Sequence, residues 1–355
     1  MATAYLSRIE ALLDIVVNEK GSDLHLTAGF EPTIRVSSSL VPLVQQGKQS
    51  AEDTEEMLKA IVPDGRWDQF LKEQTIDFSY AHKDKGRFRV NGYIVQGTVA
   101  VAMRLIPHGV RTFTDLGLPS VLEVFCQRQQ GFFLVVGPVG QGKSTTLAAI
   151  VDRINETRAE HIVTIEDPIE YIFDQKKSLI HQREVYVDAP SFHSALQSAF
   201  REDVNVIMVG EMRDLDTISA AVTAAETGHL VLATLHTNNA AQTIDRIIDM
   251  FPSTQQDQVR VQLAGSLAGI FSQRLVPRIA GGLIPAYELL INNNAIANLI
   301  REGRTHEIGT VIQTSSQEGM IDMDRSLAEL VRKGEITVED AYERAFDQKT
   351  FERYL

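Results

Sequence analysis

FFLVVGPVGQGKSTTLAAIVDRI, residues 132–154, decides the fold. Phe132 through Val136 is too uniformly apolar to keep a solvated face, so it reads as a strand buried on both sides, and Thr145-Thr146-Leu147 opens a helix. Between the two, Gly137, Gly142, Lys143 and Ser144 complete the pattern G-x-x-x-x-G-K-[ST]. Glycines let backbone N–H groups close around a phosphate, and the helix N-terminus adds partial positive charge. Lys143 is suited to reach the β and γ oxygens and Ser144 to ligate Mg²⁺. Gly137, Pro138, Val139, Gly140, Gln141, Gly142, Lys143, Ser144 and Thr145 are therefore the expected cradle for ATP.

Binding a nucleotide is not hydrolysing it, which needs a positioned water and a base. Two carboxylates stand at the ends of later apolar runs, Glu166 in TIEDPIEY and Glu211 in VNVIMVGEMRD. One can polarise the attacking water while the other holds Mg²⁺ or its water shell. The second run is unusual, because a P-loop enzyme ordinarily ends this strand in Asp, and here Gly210 precedes Glu211. His229 and His236 bracket GHLVLATLH at an odd offset, so on a straight strand they face opposite ways, and their spacing is not a zinc pattern. His236, at the carboxyl end, is the better placed as a γ-phosphate sensor. Arg87, Arg89 and Arg104 lie on strand-like segments and are candidates to neutralise transition-state charge across an interface. Arg201 and Arg213, which flank VNVIMVGE, are alternative charge partners.

Outward from this centre, HIVTI, VNVIMV and HLVLATL alternate with helical stretches, the pattern of an α/β domain around a parallel sheet, expected over residues 120–355. After Pro252 the expectation is mainly helical, with segments near 254–275, 292–302, 324–333 and 337–346. Residues 1–106 mix short strands and helices and read as a small α+β domain. It opens on an amphipathic helix, not a signal peptide, and Asn91-Gly92 reads as a turn. PHGVRTFTDLGLP, residues 107–119, is read as the linker. The single cysteine, Cys126, rules out an intramolecular disulfide and any multi-cysteine zinc site, and fits a reducing, cytoplasmic setting. No apolar stretch is long enough to span a membrane. The net charge of −13 without basic runs weighs against a RecA-like nucleic-acid motor, because phosphate-backbone affinity needs clustered Lys and Arg.

With these motifs in place the sequence resembles the secretion and type IV pilus ATPases, and among them the PilT family of pilus retraction motors. The resemblance runs over essentially the whole chain through GSDLHLTAG (21–29), RFRVN (87–91), GPVGQGKSTTLA (137–148), TIEDPIEY (164–171), HQREV (181–185), VGEMRD (209–214), TGHLVLATLHTNNAAQTIDRIIDMFP (227–252) and NLIREGRTHEI (298–308). It implies a PAS-like domain before a RecA-like ATPase domain, assembled as a homohexamer with nucleotide between the domains. Glu166 would be the general base, Glu211 would serve Mg²⁺ through water, and His229 and His236 would form a histidine box. Arginines of RFRVN would reach the nucleotide, with Arg104 less favoured. Implied partners are an inner-membrane pilus platform protein and a second retraction ATPase, at the cytoplasmic face of the inner membrane.

Pilus extension, type II secretion or an accessory retraction role are the alternatives. Extension and secretion relatives typically carry a longer N-terminal region and a four-cysteine zinc site; this chain has neither, which favours retraction. Departures from the family pattern are Val139 and Gln141 where Thr and Ser are more usual, Tyr186 for a usual glycine, Val204 for proline, and Ala297 for the arginine before NLIRE. Neither Val139 nor Gln141 provides the glycine, lysine or Mg²⁺-ligand chemistry, so hydrolysis is expected to survive them, whereas Ala297 removes one expected contact to a partner or neighbour.

Overall fold

A computed structural model describes residues 2–37, 39–83, 85–106 and 109–355, with the side chain of Ala2 excepted. The chain divides into two compact units. One comprises Met1–Gly109 with the segments Asp167–Ile172 and Glu184–Asp188; the other comprises Val110–Glu166, Phe173–Arg183 and Ala189–Leu355.

The smaller unit runs α1 (Ala2–Asn18), β1 (Asp23–Thr27), β2 (Thr33–Val36), β3 (Ser39–Pro42), α2 (Ala51–Lys59), α3 (Trp67–Glu73), β4 (Thr75–His82), β5 (Gly86–Val95) and β6 (Thr98–Ile106). Its strands form one sheet in the order β3-β2-β1-β6-β5-β4, every described pairing antiparallel. The amphipathic N-terminal stretch is helical as expected, and its Ile9, Leu13 and Val16 are fully buried against Leu24, Met57, Phe78, Phe88 and Met103. α2 begins where Ser50 and Asp53 form a capping box, which satisfies N–H groups the first helical turn leaves unpaired.

Asn91-Gly92 is not a turn. Both residues lie within β5, and the reversal comes later at Gln96 and Gly97, with φ of 50° and 76°. Gly92 has a packing reason instead: a Cβ there would stand 2.5 Å from Cδ2 of Leu58, so α2 lies too close to the sheet for any side chain. Within 107–119, Pro107 and His108 lie outside the described residues. Downstream, Thr112 and Asp115 cap a short helix, α4 (Phe113–Leu116), which ends on Gly117 in the left-handed region.

The larger unit continues with α5 (Glu123–Cys126), β7 (Gly131–Val136), α6 (Lys143–Thr157), β8 (His161–Glu166), β9 (Leu179–Glu184), α7 (Phe192–Ala199), β10 (Val206–Val209), α8 (Leu215–Glu226), β11 (Leu230–Leu235), α9 (Ala240–Asp249), α10 (Ser253–Ser266), β12 (Leu267–Pro277), β13 (Leu283–Ile291), α11 (Asn294–Glu302), α12 (Ile308–Thr314), α13 (Met323–Arg332), α14 (Val338–Arg344) and α15 (Gln348–Tyr354). Its sheet has the order β13-β12-β7-β11-β10-β8-β9, and β12, β7, β11, β10 and β8 are parallel neighbours. β7, β10 and β11 are buried along their whole length, which is why their sequences are continuous apolar runs. This is the α/β P-loop architecture expected from the sequence.

One stretch differs. The helix expected over 254–275 stops at Ser266, and LAGIFSQRLVP continues as β12, paired on one side with β7 and on the other, antiparallel, with β13. Helical and buried-strand readings of a short apolar run cannot be separated by periodicity, and burial in the sheet decides it. Cys126 is buried, and desolvation pushes its thiol up to about 12, so it is a packed and unreactive residue.

Candidate nucleotide site

β7 delivers the chain at Val136, the loop reverses over Gly137, Gly140 and Gly142 with φ of 146°, 77° and 78°, and α6 begins at Lys143. These glycines are required. The left-handed values at 140 and 142 suit residues without Cβ, and a Cβ on Gly137 would sit 2.4 Å from the carbonyl oxygen of Gln273. Successive backbone N–H groups and the start of a helix thus face one concavity, which fits a polyphosphate. The Lys143 ammonium bonds the carbonyls of Gly137 and Pro138, both at 2.9 Å, which folds its side chain back over the loop.

Parallel pairing of β8, β10, β11 and β7 brings their carboxyl ends together, and the expected Glu166, Glu211 and His236 sit at those ends. His236 bridges the charges. Its Nδ1 lies 3.1 Å from Nζ of Lys143 and its Nε2 lies 3.2 Å from Oε1 of Glu211. An ammonium can only donate and a carboxylate can only accept, so this geometry calls for the neutral imidazole with its proton on Nε2. Burial raises the Glu211 carboxyl, but the hydrogen bond from Arg213 at 2.8 Å, with the positive charges of Arg213 and Lys143, leaves it below the ordinary carboxylate value. Of the two alternative charge partners flanking this strand, Arg213 is thus engaged at the site.

Glu166 is only 5% exposed. Its Oε1 accepts from the Thr164 hydroxyl at 2.7 Å and the Gln182 amide at 3.3 Å, both of which orient it. Gly210 explains the spacing of the two acids. Its N–H bonds the Ile165 carbonyl at 2.8 Å, and a Cβ on it would lie 3.3 Å from that oxygen and 3.6 Å from Cγ of Glu166. Having no side chain there lets the ends of β8 and β10 close up beside Glu166 and moves the second acid one residue on.

The other expected residues are placed differently. His229 precedes β11 at its amino end, where Nδ1 lies 3.1 Å from the Ala224 carbonyl and the ring meets Phe200. Seven strand steps of about 3.3 Å put it some 20 Å from the carboxyl end that carries His236. Within one chain, therefore, the two histidines do not form a single box, because one strand separates them by its full length. Arg87, Arg89 and Arg104 all belong to the smaller unit, and each faces a carboxylate inside it. Arg87 lies 3.5 Å from the buried Glu184 and also donates to the Ser79 hydroxyl. Arg89 stands 3.6 Å from Glu170, and Arg104 bonds Asp23 at 2.9 Å. Tyr186 has φ of 67°, which accounts for a glycine being usual there, and the Arg66 guanidinium lies over its ring at 5.4 Å. Ala297 is buried on α11, so that helix exposes Asn298, Arg301 and Glu302 in its place.

Sequence reasoning missed several residues that shape the site. Gln182 lay in plain view within HQREV without an assigned role. Ser272 and Glu288, cross-strand partners on β12 and β13, hold the segment after His236: Ser272 donates to the Asn238 carbonyl at 2.7 Å, and Glu288 accepts the Ala240 N–H at 2.7 Å. Burial pushes the Glu288 carboxyl up to about 7, against that hydrogen bond and with help from Asp322 and Asp324. Nothing in the spacing from 236 to 272 or 288 signals these contacts. Among the described residues there is no cluster of three or more His, Cys, Asp or Glu side chains that could hold a metal ion.

Comparison with known proteins agrees with this architecture. The family model described as "Type II/IV secretion system protein" matches residues 8–283. The type IV pilus retraction ATPase PilT of Pseudomonas aeruginosa is 43% identical over 337 residues, spanning 95% of this chain and 98% of the relative. A twitching motility protein of Neisseria gonorrhoeae is 45% identical over 315 residues, spanning 88% and 84%. The crystal structure of the pilus retraction motor PilT with bound ADP superposes with a TM-score of 0.89 at 45% identity, covering 97% of this chain and 99% of that one.

Proposed function

This chain belongs to the type II/IV secretion system protein family, and we propose that the site described above is the engine by which it hydrolyses ATP to retract a type IV pilus. The observation that carries the chemistry is the bridge Lys143–His236–Glu211, which ties the phosphate loop to a carboxylate at the end of the neighbouring strands. Likeness to PilT over nearly the whole chain supports retraction over extension.

The loop Gly137–Thr145 binds the polyphosphate, and Lys143 gives up its carbonyl contacts to meet the β and γ oxygens. Mg²⁺, when bound, neutralises charge on those oxygens. Ser144 would ligate it directly and Glu211 through water. Glu166, oriented by Thr164 and Gln182, takes the proton of the attacking water. His236 senses the γ-phosphate, because any shift of Lys143 alters the bond on Nδ1 and therefore the hold of Nε2 on Glu211. Arg87 and Arg89 supply positive charge to a nucleotide in a ring of six copies, with Arg104 secondary to them. The ring works at the cytoplasmic face of the inner membrane and drives a platform protein so that pilin leaves the fibre, a second retraction ATPase acting beside it.

Two measurements test this reading. Purified full-length chain with ATP and Mg²⁺ should release phosphate well above the level of Glu166→Gln; equal release would overturn the motor. A deletion strain should carry surplus surface pili and fail to twitch, whereas bare cells would indicate extension. Stimulation of hydrolysis by DNA or RNA with steep salt dependence would favour the nucleic-acid motor instead.

A further inference from the structure

We propose that Gln141 is a positioning residue that clasps the phosphate loop to β12 and presets it for nucleotide. The inference rests on the reading that this loop binds ATP, and it concerns a side chain the loop pattern leaves unspecified.

β12 pairs with β7 up to Ser272 opposite Val136, where β7 gives way to the loop. Beyond that point β12 runs on, and its edge toward the loop no longer has a strand to bond. Gln141 serves that edge. Its side-chain Oε1 accepts the Leu275 N–H at 2.7 Å, and its own carbonyl accepts from Nε2 of Gln273, also at 2.7 Å. Gln273, 2% exposed, turns its amide oxygen the other way and accepts from the hydroxyl of Thr146 at 2.7 Å, in the first turn of α6. One buried amide thereby joins loop and helix start, and the Gln141 side chain returns a bond to the same strand. The two glycines at the loop's ends lie on this surface as well: a Cβ at 142 would come within 3.0 Å of Nε2 of Gln273, and one at 137 within 2.4 Å of its carbonyl. A serine at 141 would end two bonds short of the Leu275 N–H.

The clasp acts before nucleotide arrives. A loop held only by phosphate contacts must be ordered at the moment of binding, and that cost weakens affinity. With Gln141 in place the ordering is already done. Once phosphates fill the loop they hold it themselves, so the clasp adds little to the step from bound ATP to the transition state. Its loss should therefore weaken binding more than it slows turnover.

The test uses the full-length chain, with ADP as the binding probe and steady-state ATP hydrolysis beside it. Gln141→Met keeps the side-chain length and deletes the acceptor, and Thr146→Val deletes the hydroxyl that anchors Gln273. For each, the ADP Kd and the KM for ATP should rise about five-fold, the worth of one hydrogen bond, while kcat falls by less. The combined variant should lose less than the product of the single losses, since both act through β12. Unchanged Kd and KM in both variants, or a fall in kcat equal to the fall in kcat/KM, would overturn the clasp, even if thermal stability dropped. Absence of ADP binding by the unaltered chain would instead overturn the nucleotide reading itself.

Discussion

Nε2 of His236 stands 3.2 Å from Oε1 of Glu211 while the other nitrogen of the same ring faces Lys143. Replacing the ring removes both bonds at once. His236→Ala is expected to lower kcat about 100-fold, in the range for losing one electrostatic contact at a reacting centre, with a smaller change in KM. Steady-state kinetics checks this, and a change confined to KM would show that the ring only helps to bind nucleotide.

Glu166→Gln keeps the Thr164 and Gln182 contacts sterically possible but removes the carboxylate proposed as the base. Hydrolysis should fall about 10²- to 10⁴-fold while ADP affinity stays near that of the unaltered chain. Single-turnover phosphate release with parallel ADP binding separates the two quantities. Retained turnover would move the base to another residue.

Gly210→Asp restores the acid that P-loop enzymes ordinarily carry at this strand end. Here it should impair rather than improve the enzyme. The added Cβ would press on the Ile165 carbonyl at 3.3 Å and bring a second carboxylate beside Glu166. Displacing the ends of β8 and β10 by even 1 Å is expected to cost about 100-fold in rate. Hydrolysis equal to or above that of the unaltered chain would refute this account of the glycine.

Glu288 supplies a pH test. Its folded carboxyl, pushed up by burial to about 7, holds a proton that the unfolded chain loses at the ordinary glutamate value. The folded state thus binds more protons between these values, and stability should fall as pH rises from about 4.5 to 7. Glu288→Gln still accepts from Ala240 but cannot ionise. Its advantage over the unaltered chain should grow with pH, by up to about 3 kcal/mol once pH exceeds 7. Unfolding midpoints at pH 5 and pH 8 measure it, and a pH-independent difference would sink the assignment.

Gly92→Ala tests the correction in the smaller unit. A methyl 2.5 Å from Leu58 should cost about 1–3 kcal/mol of stability by overpacking, whereas an exposed turn glycine with ordinary φ would tolerate it. Thermal unfolding distinguishes these outcomes.

What the chain's order of residues determined by itself was chemistry that is local. A strand, a glycine-rich reversal, a lysine and a helix start are contiguous from 132 to 154, so their joint meaning needs no tertiary knowledge. Glu166, Glu211 and His236 were legible because parallel strands buried on both faces are written as apolar runs, and ligands gather where such runs end. Tertiary structure alone decided the rest. It made 267–277 a strand, since an apolar run becomes strand or helix according to what it packs against. It gave Gly92 and Gly210 their purposes, one under α2 and the other beside Glu166. It brought Gln273 and Glu288, more than a hundred residues from Gly137–Thr145 in the chain, to the loop after β7 and to the segment after His236. Such contacts depend on which strand edges lie side by side, and sheet order is settled by burial of the whole core rather than by any one segment.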